Sequence, residues 1–537
     1  MENVVSPRPV SSRIGVLSTY GEQQQQLWGW YKEKALHVPV GHRGSRVSLA
    51  KTKCQQADIS EIVPVLELDE LPEDVLHHIH SLVPLRSAAR VACVSHKFLR
   101  SWRRFPDLTF KWETSGLNIN DGFPKKLADM VHCVLGNHSG TGVKTLELRI
   151  RACGDFITAN HLNKWLQSTV KSGISELVLD LPQYQGQFFN FSCLLLSRAA
   201  NSLQYLSLSF CVFRPTPKVG CLRNLKRLSL RHVHITENEL ECFLSRTISL
   251  EDLEVYRCDM VTFLKVPSHL QQLSILRVFL CRRLNMIEIY APKVSTFVFT
   301  GPTIEILVND MSQLKNVTLD DTSDPGMFQY ALTKLHSLAS NLQTLTLLSW
   351  SEDFDMPTSH DKFHFLRILN ICCSGIEFLN YDFLSFVSFL EACPVLETFL
   401  LLAGQHVDVR QDSILEDCHA DSLRTRHTPE FHHDRLKKVR ITGFSSAKSL
   451  VELTCHIVEN SSSLEHLVLD TTRGYDYKGM CDPMCKTAVT EALKGMEAIN
   501  RYVKGKVPSR VKFQVLEPCD RCHIPNVHAD LKWNLSL

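Results

Sequence analysis

The sequence predicts an α/β chain in two parts, a short three-helix module followed by a curved solenoid of parallel strands with helices on its convex side. Three observations predict it. A Leu-x-x-Leu-x-Leu pattern, with Ile, Val or Phe replacing some leucines, starts at Val143, Ile174, Leu203, Leu225, Leu250, Leu273, Leu314, Leu342, Leu366, Leu396, Leu436 and Leu464. Most intervals are about 20 to 31 residues, the period of a stacked repeat. Amphipathic stretches lie between copies, and ahead of them, from Leu71 to Phe105, come short apolar stripes at helical spacing.

Residues 1–64 mix Pro, Ser, Arg and Gln, including Gln23–Gln26, without sustained periodicity, and are expected to form a disordered arm. Trp28, Trp30 and Tyr31 leave a short docking peptide as the alternative. With 537 residues, of which 44% are hydrophobic and 22% charged, the chain has enough apolar material for a large core and more than one module. The net charge is +2 with opposite charges interspersed, so no basic stripe points to nucleic acid or an anionic membrane. No apolar run reaches bilayer length, and Met1–Gly15 lacks the apolar core of a secretory signal, so a cytoplasmic or nuclear protein is expected. Nineteen cysteines in so long a chain are an odd, sparse set suited to reduced thiols.

Residues 65–110 carry the helical module. Pro72 suits the first position of a helix, and Glu73 and Asp74 suit its positive dipole end. Val75, Leu76, Ile79 and Leu82 form one apolar stripe, and Pro84 ends it. An Ala-rich helix runs from Ser87 to Val91, and Ser95 caps a third that presents Phe98, Leu99, Trp102 and Phe105. Three such helices enclose too little core to stand alone, so part of their apolar surface is expected to await a partner. Leu71-Pro72-Glu73-Asp74, Leu82-Val83-Pro84-Leu85 and Cys93-Val94-Ser95 leading to Trp102 resemble an F-box. The resemblance implies docking on a Skp-family adaptor through Leu71, Pro72, Val75, Leu76, Ile79, Leu82, Pro84, Val91, Phe98 and Trp102, and through that adaptor to a cullin-RING assembly. Phe98 and Leu99 depart from the Trp and Arg of many plant F-boxes. The alternative is a helical cap for the repeats.

Residues 140–430 read as leucine-rich repeats. In three copies Cys211, Cys258 and Cys281 complete Leu-x-x-Leu-x-Leu-x-x-Cys, and each is expected to turn inward where its strand ends. Thr158–Val170, Glu237–Ser245, Asp382–Ala392 and Lys448–Asn460 are the expected convex helices, and closer copies at Leu284 and Val294 suggest hairpin-like or truncated repeats. Strand residues between the leucines face away from the core. They offer Tyr205 and Ser207, Ser229 and Arg231, Glu254 and Tyr256, Arg277 and Phe279, then Glu288 and Tyr290, as a target-binding strip rich in interface-type side chains.

Residues 431–525 contain His432-x-x-x-Leu436-Lys-Lys-Val439-Arg-Ile441-Thr-Gly443-Phe444 and Ser463–Asp470, which resemble the FBD region of plant F-box/leucine-rich-repeat proteins, with a tail like that of grass members. Cys519-x-x-Cys522-His523 has the spacing of c-type haem attachment, but export and an axial ligand are not announced, so no cofactor is expected. Cys481, Cys485, Cys519 and Cys522 are weak zinc candidates at unusually long separation, and ordinary thiols are the preferred reading. His419, His427, His432 and His433 read as part of a solvated loop. There is no phosphate-binding Gly-rich loop, Gly-x-Ser-x-Gly elbow or His-Glu-x-x-His helix. The expectation is a non-catalytic substrate-recognition subunit of a Skp-cullin-F-box ubiquitin ligase. A ubiquitin-independent scaffold or small-molecule receptor is the alternative.

Overall fold

The computed structural model describes residues 72–82, 96–111, 122–183, 186–216, 220–309, 313–321, 326–335, 341–350, 352, 362–373, 378, 381–404, 412–416, 432–474 and 484–519. Two helices open it, α1 (Glu73–Leu82) and α2 (His96–Trp102), packed against each other. Leu71 and the Ala-rich stretch from Ser87 to Val91 lie outside the described residues.

The strands in chain order are β1 (Asp107–Phe110), β2 (Thr145–Arg149), β3 (Glu176–Asp180), β4 (Phe189–Phe191), β5 (Tyr205–Ser209), β6 (Cys211–Phe213), β7 (Arg227–Arg231), β8 (Asp252–Tyr256), β9 (Phe263–Val266) and β10 (Ile275–Phe279). They continue with β11 (Met286–Ile289), β12 (Thr296–Thr300), β13 (Glu305–Val308), β14 (Asn316–Asp321), β15 (Thr344–Ser349), β16 (Ile368–Cys373), β17 (Thr398–Ala403), β18 (Lys438–Thr442), β19 (His466–Asp470) and β20 (Lys512–Leu516). Fifteen of them make one parallel sheet, in the order β1-β2-β3-β5-β7-β8-β10-β12-β14-β15-β16-β17-β18-β19-β20. Its register follows the leucine pattern. Leu206, Leu228, Leu253 and Leu276 align across β5, β7, β8 and β10, as do Leu208, Leu230, Val255 and Val278, and all are buried. Each repeat thus places its apolar residues beside those of its neighbours, which is how a solenoid builds a continuous core.

Convex helices appear where the connections are long enough. After α3 (Phe123–Asn137) come α4 (Ala159–Thr169), α5 (Leu194–Ala199) and α6 (Glu237–Leu244). Thr158 and Thr236 start α4 and α6 with reciprocal caps, the second completed by Glu239. Between β8 and β14 the connections shorten. An extended chain covers about 3.3 Å per residue against about 1.5 Å in a helix, so a short connection spans the repeat better as a strand. Here β9, β11 and β13 form a second, three-stranded parallel sheet. The copies at Leu284 and Val294 are therefore neither hairpins nor defects: one begins β11 of this second wall and the other leads into β12 of the main sheet.

The helical module is built into the solenoid. β1 pairs in register with β2, and Trp102, Phe105, Leu108 and Phe110 share one core with Leu127, Val131 and Leu135 of α3. His138 fastens the seam. Its Nδ1 accepts from the Gly140 N–H at 2.9 Å, which leaves Nε2 to donate to the Phe105 carbonyl at 3.0 Å. Burial keeps this imidazole below its ordinary pKa and hence neutral.

Further along come α7 (Met327–Tyr330), α8 (Val387–Ala392), α9 (Lys448–Asn460) and α10 (Lys486–Ala498). Strands β18 to β20 extend the same sheet, and α10 crosses close over the turn after β18. A Cβ at Gly495 would lie 2.7 Å from the Phe444 carbonyl oxygen, so glycine is required by the approach. His433, expected in a solvated loop, is buried instead. Its Nε2 contacts the Cys393 carbonyl at 2.9 Å and its Nδ1 accepts from the Leu436 N–H at 3.0 Å, tying two repeats together.

Candidate docking surfaces

The first surface is the outer side of α1. Its stripe divides into an inner and an outer part: Leu76 is 0% exposed, whereas Val75 is 37% exposed, Ile79 is partly open, and Pro72, Asp74 and His78 face solvent. Phe98 and Trp102, both predicted contacts, are 1% and 6% exposed and are covered by this chain's own atoms. Leu71, Pro84 and Val91, and the side chain of Leu82, fall outside the described residues.

The second surface is the main sheet, whose register sorts the predicted target strip into rows. Tyr205 aligns with Arg227, whose guanidinium carbon stands 4.4 Å over its ring. Glu254 and Arg277 align in the middle row. Arg231, Tyr256 and Phe279 align at the strand ends. These side chains restrain one another: Arg231 Nε reaches Glu254 at 2.6 Å, Ser229 donates to the same carboxylate oxygen at 3.2 Å, and Arg277 pairs with Asp252. Tyr256 and Phe279 lie with ring centroids 6.1 Å apart.

Glu288 and Tyr290 do not belong to this strip. Glu288 lies in β11, paired with β9 and β13 in the second sheet, and Tyr290 follows it. Leu284-x-x-Ile287-x-Ile289 imitates the repeat because any half-buried strand alternates in the same way. The main-sheet strand after β10 is β12, where Val298 takes the position beside Arg277.

One row was not anticipated. Immediately beyond the strand ends, Phe210, His232, Arg257 and Leu280 have φ values of 57°, 51°, 48° and 52°, the left-handed region. The geometry serves the backbone. Their N–H groups donate to the carbonyls of Arg231, Tyr256, Phe279 and Thr300, so each turn closes onto the next repeat. The following residue then points inward, as Cys211, Cys258 and Cys281 do; Cys258 Sγ lies 3.6 Å from the Leu230 carbonyl oxygen and Cys281 Sγ lies 3.5 Å from that of Phe279. Burial pushes the Cys211 and Cys281 thiols up to about 12 and raises Cys258 as well, which makes them inert packing groups.

Side chains on this row form a rim. The Arg151 guanidinium carbon stands 3.9 Å over the Phe210 ring, Phe210 stacks on His232 at 4.4 Å, and His232 meets Tyr256 at 5.4 Å. Burial, then the charges of Arg257 and Arg151, hold the His232 imidazole down at about 4, with Arg282 adding to them and Asp259 opposing. No Gly or Asn marks the row, and only three of its four members precede a cysteine, so the sequence gives it no consistent signal.

Of the four zinc candidates, Cys485 and Cys519 are described. Cys485 caps α10 and contacts Thr487 Oγ1 at 3.1 Å, Cys519 is exposed, and Cys481 and Cys522 lie outside the described residues, among which no group of three or more His, Cys, Asp or Glu is placed to hold a metal. Exposed His432 pairs with Asp434 at 2.9 Å; His419 and His427 are outside the described residues.

Residues 68–109 match the F-box domain model, and residues 134–520 match the At1g61320/AtMIF1, LRR domain model. The chain belongs to the plant F-box/leucine-rich-repeat family. Among its relatives in Arabidopsis thaliana, the F-box/FBD/LRR-repeat protein At2g04230 is 27% identical over 39% of this chain and 47% of its own length. The putative FBD-associated F-box protein At1g61330 is 24% identical over 75% of this chain and 89% of its own length. The F-box/LRR-repeat protein At3g58940 is 24% identical over 75% of this chain and 65% of its own length. The match thus spans about half of the first relative and most of the second. An F-box followed by leucine-rich repeats is the domain pair of a substrate-adaptor-type protein, a family generally without catalysis of its own. No helix among the described residues is long and apolar enough to cross a membrane.

Proposed function

We propose that this F-box/leucine-rich-repeat protein is the substrate-recognition subunit of a Skp-cullin-F-box ubiquitin ligase in the cytoplasm or nucleus. The F-box docks on a Skp-family adaptor and the repeats hold a target protein for ubiquitin transfer by a recruited conjugating enzyme. The supporting observation is the pairing of β1 with β2, which makes the end of the F-box match the first strand of the receptor sheet. A target on the sheet is then held at a set distance from the adaptor, and its effective concentration beside the conjugating enzyme is raised without chemistry from this chain.

Burial divides the adaptor contacts. Pro72, Val75 and Ile79 are open to a partner, whereas Leu76, Phe98 and Trp102 hold the module together from inside. Co-purification with a Skp-family adaptor tests the reading. Leu71→Ala with Pro72→Ala, and separately Val75→Asp, are expected to abolish the complex while leaving the melting temperature within a few degrees. Retained binding in both variants defeats the assigned surface, and no binding by the unaltered protein defeats the function. The second reading, a ubiquitin-independent scaffold or small-molecule receptor whose first helices are a cap, is favoured by the membership of Trp102 and Phe105 in the solenoid core. It predicts no adaptor complex at all.

A further inference from the structure

We infer that the rim beyond β5, β7, β8 and β10 is a docking site for an extended acidic peptide of the target protein, whose anionic side chains are held by Arg151, Arg257 and Arg282 and whose backbone lies along Phe210, His232 and Tyr256. This rests on the target-receptor reading above and specifies the chemistry of the target segment.

Two independent observations meet here. The first is charge. Arg151, Arg257 and Arg282 all lie close enough to bear on His232, and among the described residues none of the three pairs with a carboxylate. Neighbouring cations are treated differently: Arg149 is paired with Glu147, Arg231 with Glu254 and Arg277 with Asp252. Arg151 and Arg282 are exposed, and the Arg257 Nε is buried without a hydrogen-bond partner. Two carboxylates, Asp180 and Asp259, also lie at the rim, and the buried Asp180 Oδ1 has no hydrogen-bond partner. Burial raises the Asp180 pKa despite Arg151, Arg149 and Arg231, and Asp259 accepts from the Arg282 backbone N–H at 3.1 Å.

The second observation is backbone conformation. A left-handed residue with a Cβ is disfavoured by about 1 to 2 kcal/mol, and glycine relieves this at once. The solenoid does use glycine immediately after β18, where Gly443 has a left-handed φ of 76°. Four successive repeats nevertheless keep Phe, His, Arg and Leu there. Strain retained where a tolerated alternative exists in the same molecule points to use of the side chains.

The geometry favours a peptide over a nucleic acid. The row from Phe210 to Leu280 crosses four adjacent strands, about 14 Å at roughly 4.8 Å per strand, the reach of four or five residues of extended chain. Three guanidiniums without a carboxylate partner among the described residues match the two or three acidic side chains of such a peptide, whereas nucleic-acid binding rests on a longer series of phosphate contacts.

The test uses full-length protein bound to its adaptor and three fluorescein-labelled hexapeptides, one alternating glutamate with glycine, one with phosphoserine for glutamate, and one with glutamine. Fluorescence anisotropy is expected to show binding of the first two, about tenfold weaker with each replacement of a guanidinium in Arg151→Gln and Arg282→Gln and falling with added salt. The glutamine peptide is expected not to bind. A preference for phosphoserine over glutamate marks a phosphorylated target segment; the reverse marks a carboxylate one. His232→Gly, which keeps the turn and removes the ring, is expected to weaken binding several-fold with the fold intact. The inference is overturned if neither acidic peptide binds while the adaptor complex forms, if both Arg variants bind as the unaltered protein does, or if oligothymidylate binds more tightly than either peptide. Failure of the adaptor complex itself would count against the proposed function instead.

Discussion

The strand-end row of the main sheet changes character half-way along the solenoid. In β7, β8 and β10 it consists of Arg231, Tyr256 and Phe279, all exposed or partly so. Aligned with them further on are Thr300, Asp320, Leu348, Cys372, Leu402, Thr442 and Asp470, all buried except the partly exposed Leu402. The turns change too, from bulky left-handed residues at Phe210 to Leu280 to glycine at Gly301 and Gly443. One repeat geometry therefore supports two kinds of edge. The first presents large side chains to solvent and tolerates strain to do so, whereas the second turns its polar groups inward and relies on them for cohesion.

Removing a polar group should then matter most in the second half. Asp470 is fully buried, accepts from Arg440 at 2.7 Å and caps the turn through the Thr472 N–H at 3.0 Å and the Thr472 hydroxyl at 2.7 Å. Asp470→Ala leaves two buried Thr472 donors and the partly exposed Arg440 without their acceptor, and a loss of about 2 to 4 kcal/mol in urea unfolding is expected. The corresponding change on the open edge, Glu254→Gln against exposed Arg231, should stay under about 1 kcal/mol because solvent replaces what is lost. Similar losses at both sites would erase the distinction between the two edges.

Much of this was readable in the sequence, and the failures have physical reasons. The main-sheet strands followed from leucine spacing because a buried strand face must be apolar at every second residue, and the inward cysteines followed from the same register. The convex helices at Ala159–Thr169 and Glu237–Leu244 announced themselves as amphipathic stretches long enough for a helix. Glu288 and Tyr290 were misplaced because alternation reports burial without saying which wall a strand joins. The β1 seam was hidden because Asp107–Phe110 is too short to repeat the pattern, and His433 because a polar residue beside charged neighbours gives no sign that its two nitrogens meet backbone groups. The left-handed row carries no local signal at all: its conformation is imposed by hydrogen bonds to the next repeat.

Titration separates the edges by a smaller amount. Burial holds His433 and the seam residue His138 below their ordinary value of 6.5. Their neutral forms favour the fold, so this contribution is complete above pH 6.5 and declines as pH falls toward the lowered native values, where the native rings also take up protons. Glu352 has the opposite sign. It accepts from the Gly326 and Phe328 N–H groups at 3.2 and 3.0 Å, but burial raises its pKa to about 7, so its contribution is present below the ordinary carboxylate pKa and is lost as pH rises through about 7. Melting temperatures across pH 5 to 8 should show an acid-side decline that is smaller in His433→Gln and an alkaline-side decline that is smaller in Glu352→Gln. A profile unchanged by either replacement would show that these groups are not linked to folding.

The smallest expected effect addresses the turns directly. Gly443→Ala places a Cβ at φ 76° and should cost about 1 to 2 kcal/mol. At His232, φ 51°, replacement by glycine relieves the same strain, while the added freedom of the unfolded chain returns about 0.5 to 1 kcal/mol. The ring also gives up its stacking on Phe210, worth about 0.5 to 1.5 kcal/mol. The three contributions nearly cancel, so His232→Gly should change unfolding free energy by less than about 1 kcal/mol while Gly443→Ala is plainly destabilising. A clear loss of stability at His232 would mean that the ring is part of the fold's cohesion, and the strained row would then need no partner to explain it.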